Sequence, residues 1–302
     1  MTHYQLVTSN KFKSLGIVLG FVAFVVVAVY FMAQGLGYGL DMVGYALLFS
    51  GLTSFGGYYF SDKIILGLSG AREATRAEFF DFYTVTENIC NSQKIPLPKL
   101  FVIDDTAMNA FATGRDPKHA VVCATTGLLS RLNRREIEGV IAHELSHIKN
   151  YDILLMSIVT VLVGLLALLS DWLLRMTWWG GGRRKSDRES NQLQSVLFVV
   201  GLILALLSPL IAQLIKLAIS RKREFLADAS GVAMTKNPQG LISALTKLDQ
   251  DHEPLETANK ATAHLYITNP LKNTRGVSHL FANLFATHPP IEERVVALKK
   301  IA

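Results

Sequence analysis

Four stretches of this chain carry no charged residue for long enough to cross a lipid bilayer: residues 14–32, 42–60, 153–169 and 195–215. A hydrocarbon core about 30 Å thick is spanned by about 20 helical residues. A backbone in lipid must satisfy its own hydrogen bonds, so each stretch is expected to be a helix. Only 18% of the residues are charged and 50% are hydrophobic, whereas soluble domains carry about 25% charge.

The charges flank these stretches. Lys11 and Lys13 precede the first, Lys63, Arg72 and Arg76 follow the second, and the turn at 33–41 has neither Lys nor Arg. Positive charge stays cytoplasmic, so the first pair reads as a hairpin with both ends inside. The first stretch is too long for a signal-peptide core and reads as an uncleaved anchor. The net charge of +6 is accounted for by these flanking cations, and no nucleic-acid partner is inferred. Cys90 and Cys123 are too few and too far apart for a disulfide framework or a C-x-x-C site, which suggests free thiols in a reducing compartment.

Between the two hairpins lies His143-Glu144-Leu145-Ser146-His147. On a helix, positions i and i+4 share a face, so both histidines can address one metal ion, with Glu144 beside them to reach a water on it. The context is helical. Asn133 and Glu136 have capping-box spacing, and Ile137, Val140, Ile141, Leu145 and Ile148 recur at helical intervals. Upstream, 71–93 reads as a helix, 99–104 and 120–125 as short strands and 109–114 as a short strand or loop, which makes a small sheet plausible. An edge strand there could hold an extended peptide. Helices are also expected near 238–249 and 290–301.

A catalytic zinc takes about three protein ligands and keeps one position for water. Glu224 is the best candidate for the third, with Asp228 one helical turn on, suited to hold the far nitrogen of a zinc histidine. The alternative for 221–228 is a charged helix at the membrane surface. The spacing favours the first reading. The third stretch starts six residues after His147 and the fourth ends nine before Glu224, so a two-span excursion returns Glu224 to the histidines' side of the membrane.

Taken together, the paired N-terminal spans, Met108-Asn109-Ala110-Phe111-Ala112-Thr113-Gly114, the H-E-x-x-H segment with Asn150 and Asp152, the internal hairpin, Arg223-Glu224-Phe225-Leu226-Ala227-Asp228, and Thr287-His288-Pro289-Pro290 with Arg294 resemble the HtpX-type membrane-bound zinc metalloproteases, relatives of the CAAX prenyl endopeptidases. The resemblance covers nearly the whole chain. It implies one Zn2+ per chain on His143, His147 and Glu224, with Glu144 as general base. It implies that His288 steadies the developing oxyanion with Arg294 in support; the alternative for His288 is a helix cap before Pro289. It implies a substrate-strand role for Asn109, which could equally be a turn asparagine, and a supporting place for Asp152. The function implied is stress-linked quality control at the inner membrane. Misfolded membrane proteins would be cleaved on the cytoplasmic side, alongside other membrane proteases or chaperones.

The expected fold is a mainly α membrane protein: four transmembrane helices plus an α+β zincin-like (gluzincin) catalytic domain with a small sheet. Residues 1–62 form the first hairpin and 153–218 the second. The catalytic domain is then assembled from two separate segments, 63–152 with the H-E-x-x-H helix and 219–302 with the third zinc ligand. A scaffold with a purely structural zinc would lack Glu144 or add a fourth ligand. A prenyl-protein peptidase would want more spans, and a transporter would want charges within them.

The connection at 175–192 carries Arg175, Arg183, Arg184, Lys185 and Arg188 against Asp187 and Glu189, which is unusual for an external loop. Stretch length still favours two full spans with this basic loop outside. A cysteine at Ser186, in a chain lacking Cys90 and Cys123, should react with an impermeant thiol reagent in intact cells. Reaction only after lysis would leave a cytoplasm-facing hairpin.

Overall fold

The computed structural model describes residues 3–36, 41–162, 164, 221–258, 262–270 and 289–301. The chain is mainly helical. Two long helices lead, α1 (His3–Leu36) and α2 (Asp41–Leu68), each longer than the uncharged stretch it contains. The polar arm before the first stretch is therefore already helical. Among the described residues one helix segment, Val7–Tyr30, is long and apolar enough to cross a membrane. Both helices expose large apolar side chains, among them Leu15, Leu19, Leu48, Leu52 and Phe55. The end of the third uncharged stretch, all of the fourth and the basic connection lie outside the described residues.

A four-stranded sheet follows, in the order β1-β2-β4-β3. It consists of β1 (Arg72–Glu73), β2 (Lys99–Ile103), β3 (Ala110–Gly114) and β4 (Ala120–Thr125). The sheet is mixed: β2 runs parallel to β4, and the other two pairings are antiparallel. The three expected strands are present within a residue. The helix expected over 71–93 is not continuous, because its start is β1 and only α3 (Phe80–Gln93) is helical. Arg72 decides this by bonding Asp104 and Glu78 at once, while the Ala74 N–H donates to the Leu100 carbonyl. The segment is thereby pinned along β2.

Both faces of the sheet are covered. Leu100, Val102, Ala110, Ala112, Val122 and Ala124 pack on α3 and on α5 (Arg134–Lys149). Ile103, Phe111, Val121 and Cys123 pack on the end of α2, on α6 (Asp152–Leu162) and on Leu265 and Tyr266. Double coverage explains why β3 and β4 are buried at every position, with none of the alternation of a half-exposed strand. A six-residue helix, α4 (Thr126–Arg131), leads from β4 toward α5.

The central element is α5. Its capping box is complete: the Asn133 side chain accepts from the Glu136 N–H at 3.1 Å, and Glu136 accepts from the Asn133 N–H at 2.8 Å. From Glu136 to Ile148 nearly every residue is buried, so neighbours close on it from all sides. These are α3, the sheet, α7 (Arg221–Thr235) and α8 (Pro238–Gln250), while α9 (Ile291–Lys299) packs on α7 and α8. At its C-terminal end Tyr151 takes a left-handed backbone, φ 59°, and the chain turns into α6.

The crossing of α5 and α8 depends on Gly139. A Cβ there would lie 2.6 Å from the Leu241 backbone nitrogen. Gly139→Ala should therefore lower stability, despite alanine's better helix propensity, by the roughly 1–3 kcal/mol typical of overpacking. Urea unfolding of the detergent-solubilised protein measures it, and a rise in midpoint would mean that the helices separate without cost.

Candidate metal centre

His143 and His147 lie one turn apart on α5, and Glu224 and Asp228 one turn apart on α7. The two helices meet closely. A Cβ on Gly231 would sit 3.1 Å from the His143 backbone nitrogen, so glycine lets α7 bring its carboxylates to the imidazoles. The donor atoms of His143, His147 and Glu224 all lie within 4.8 Å of one another. The two Nε2 atoms are 3.2 Å apart. One Glu224 oxygen is 3.7 Å from His143 Nε2 and the other is 3.6 Å from His147 Nε2.

The opposite nitrogens fix what converges there. His143 Nδ1 is 2.9 Å from Asp228 Oδ1, and His147 Nδ1 is 3.0 Å from Asp152 Oδ2. A carboxylate only accepts hydrogen bonds, so each Nδ1 carries the hydrogen and each Nε2 presents a lone pair. Two lone pairs and a carboxylate then face one point inside the protein, an arrangement that calls for a cation. The donor set and spacing suit zinc. Tetrahedral bonds of about 2.0–2.2 Å separate ligand atoms by about 3.3–3.6 Å, against the 3.2, 3.6 and 3.7 Å found here.

Without a metal, a proton answers the same field. Burial alone would lower the His147 pKa. The Asp152 hydrogen bond and the charges of Glu224, Asp152 and Glu144 outweigh it and raise the value to about 9. Glu144 itself is buried beside the histidines, and its charge also acts on Arg294.

Each supporting carboxylate is itself held. For Asp228, burial would raise the pKa, but the Arg294 charge and hydrogen bonds, with His143 adding its own, bring it down to about 2. Arg294 is fully buried and grips Asp228 through Nε at 2.9 Å and Nη2 at 2.6 Å. Its Nη1 donates to the Ile267 carbonyl at 3.3 Å. Asp152 is held from two other helices. Arg223 Nε lies 2.8 Å from its Oδ1, and the Asn10 amide donates to the same oxygen at 2.8 Å. Sequence reasoning missed both residues. Arg223 adjoins Glu224, which is a faint signal; Asn10 stands in a polar arm with none.

Asn109 lies just before β3, and its side chain does not face an open edge. Its Nδ2 donates to the Thr268 carbonyl at 3.1 Å, and its Oδ1 accepts from the Thr268 N–H at 3.4 Å. The Ile267 N–H donates to the Ala110 carbonyl at 2.9 Å. The chain's own segment thus sits on the outer edge of β3 at the position expected for an extended peptide. His288 lies outside the described residues. Cys90 and Cys123 are free and buried, and burial pushes both thiols up, away from the reactive thiolate.

Known proteins resemble this chain along nearly its whole length. The sequence profile of Peptidase family M48 matches residues 78–302. The "Protease HtpX homolog" of Caldanaerobacter subterraneus subsp. tengcongensis is 42% identical over 301 residues, 99% of this chain and 98% of the relative. That of Streptococcus uberis is 40% identical over 301 residues, 98% of this chain and 99% of the relative. The fold is similar to the crystal structure of S. mikatae Ste24p, with a TM-score of 0.50 at 18% identity, covering 98% of this chain and 67% of that one. A family match over most of the chain and end-to-end relatives at this identity mean that the chain belongs to peptidase family M48, as one of its HtpX-type membrane metalloproteases.

Proposed function

We propose that the chain is a membrane-anchored zinc endopeptidase that removes misfolded or damaged membrane proteins on the cytoplasmic side of the inner membrane. The observation that carries this reading is the convergence of two Nε2 lone pairs and the Glu224 carboxylate, with both Nδ1 atoms committed to buried carboxylates. His143, His147 and Glu224 would hold one zinc ion. Bound there, zinc supplies a Lewis acid that polarises the scissile carbonyl and acidifies a water.

The chain's own residues supply the rest. Glu144 takes the proton from the attacking water and returns it to the leaving amine. Asp228 and Asp152 hold the two imidazoles in one tautomer and orientation, and Arg294 keeps Asp228 ionised. His288 steadies the developing oxyanion. An extended substrate pairs with β3, guided by Asn109, and to do so it displaces Ile267 and Thr268 from the strand's edge.

The membrane-protein substrate class is supported by the site's position. Asp152 bonds Asn10, which lies near the start of the Val7–Tyr30 segment, so the metal centre stands at the end of a candidate span. Lys11 and Lys13 at that end argue for the cytoplasmic face. The reading keeps four spans in two hairpins: 1–62 precedes the catalytic unit, and 153–218 interrupts it between 63–152 and 219–302.

Three outcomes test it. Glu144→Gln should retain a full equivalent of zinc yet lose nearly all casein hydrolysis; normal turnover would remove Glu144 as the base. Glu224→Ala should lose most of its zinc, and Asp228→Ala should bind it about 10–100-fold more weakly, as read by chelator competition. Full wild-type affinity in Glu224→Ala would assign the third ligand elsewhere.

The third outcome is a pH dependence. His147 must release its proton to offer a lone pair. With its pKa raised to about 9, zinc affinity should climb between about pH 6 and 8, by about tenfold per unit for each proton released. In the metal-free fold the sign is opposite. The raised value stabilises the fold fully below the unfolded pKa near 6.5, and that contribution is lost as pH rises through about 9. A flat affinity profile would refute the proton–metal exchange.

A further inference from the structure

We propose that Asn10, in the membrane helix α1, is a positioning residue of the metal centre, and that through it the seating of α1 on the catalytic unit sets the orientation of His147. The proposal rests on the reading of His143, His147 and Glu224 as metal ligands.

Asn10 is 1% exposed, although its neighbours Lys11 and Lys13 are in solvent. Its amide is used at both ends. Nδ2 donates to Asp152 Oδ1 at 2.8 Å and to the Asn150 carbonyl at 3.0 Å, and Oδ1 accepts from Arg223 Nη2 at 3.0 Å. The other Asp152 oxygen is the one facing His147 Nδ1. Asn10 therefore stands one side chain away from a candidate metal ligand. It joins three segments far apart in sequence: α1, the α5–α6 corner and the start of α7. Lys11 adds to the same junction, with its Nζ 4.7 Å from the Tyr151 ring centroid.

The chemistry of the position selects an amide. It must donate to a carboxylate and a carbonyl while accepting from a guanidinium, and within that space only an uncharged group with both functions does so. Aspartate would set a second carboxylate against Asp152. Leucine would leave buried polar groups without the partner they now have, which is costly in an interior.

The two imidazoles differ in how they are supported. His143 depends on Asp228 and Arg294, both within the catalytic unit. His147 depends on Asp152, whose other oxygen is held by Arg223 and the membrane helix. Disturbing α1 at Asn10 should therefore loosen one ligand and leave the other, so that the helix tunes the metal site as well as anchoring it.

The test uses the full-length protein in detergent, with Asn10→Leu, the milder Asn10→Ala, the exposed control Lys13→Ala and the ligand control His147→Ala. Zinc affinity is measured by chelator competition, and the visible absorption spectrum of the Co2+-loaded protein reports ligand geometry. Both Asn10 variants should bind zinc about 10–100-fold more weakly, the size of effect typical for partners of metal-bound histidines. Their Co2+ spectra should be altered, and Lys13→Ala should match wild type. A role confined to holding the helices together would lower thermal stability and leave both metal readouts unmoved, which would overturn the proposal. If Asn10→Leu does not fold, wild-type affinity and spectrum in Asn10→Ala alone overturn it. Zinc loss in His147→Ala with unchanged Asn10 variants would refute the coupling while sparing the metal site. Wild-type affinity in His147→Ala would remove both.

Discussion

The hydrogen bonds from His143 to Asp228 and from His147 to Asp152 hold the rest of the site in register. They assign the tautomer of each ring, and the tautomer makes both Nε2 atoms electron-pair donors. Rings free to flip would give three polar groups sharing a cavity instead of a metal site. Burial strengthens these bonds and makes each unpaired charge expensive, and both supporting carboxylates have a partner with the opposite demand. Arg294 serves Asp228, and Arg223 with Asn10 serves Asp152.

Packing supplies the precision. Because α5 is buried along nearly its whole length, its histidines have no freedom to move toward solvent. Gly231 lets α7 approach the backbone at His143, and Gly139 lets α8 close on the other turns of α5. The sheet, covered on both faces, gives α5 a rigid floor. The pairing of Asp152 with His147 needs one more device, the left-handed backbone at Tyr151 that turns the chain straight after α5.

The two N-terminal helices pack against the rest of the chain. The sheet face away from α5 packs on the end of α2 and on α6, while the Asn10 amide of α1 reaches Asp152 beside the candidate metal centre. The edge of β3 is held by Ile267 and Thr268, so access to that strand is linked to the placement of the 262–270 segment.

Much of this was legible in the chain. The H-E-x-x-H spacing, the capping box at Asn133 and Glu136 and the strands near 99, 110 and 120 follow from local periodicity, and Glu224 is expected near the histidines from its place after the fourth uncharged stretch. Local pattern failed at Arg72, where the residues suggested helix and pairing with the distant β2 gives an edge strand instead. It was silent on Asn10, because nothing within a few residues distinguishes a buried asparagine from a solvated one. The pairing of Arg294 with Asp228 and of Asn10 with Asp152 joins residues 66 and 142 positions apart. Such contacts form only when whole helices are seated against one another. The sequence determined which groups could do chemistry and on which elements they stand. Tertiary packing decided which carboxylate orients which imidazole, since that choice is a contact between surfaces that local periodicity does not encode.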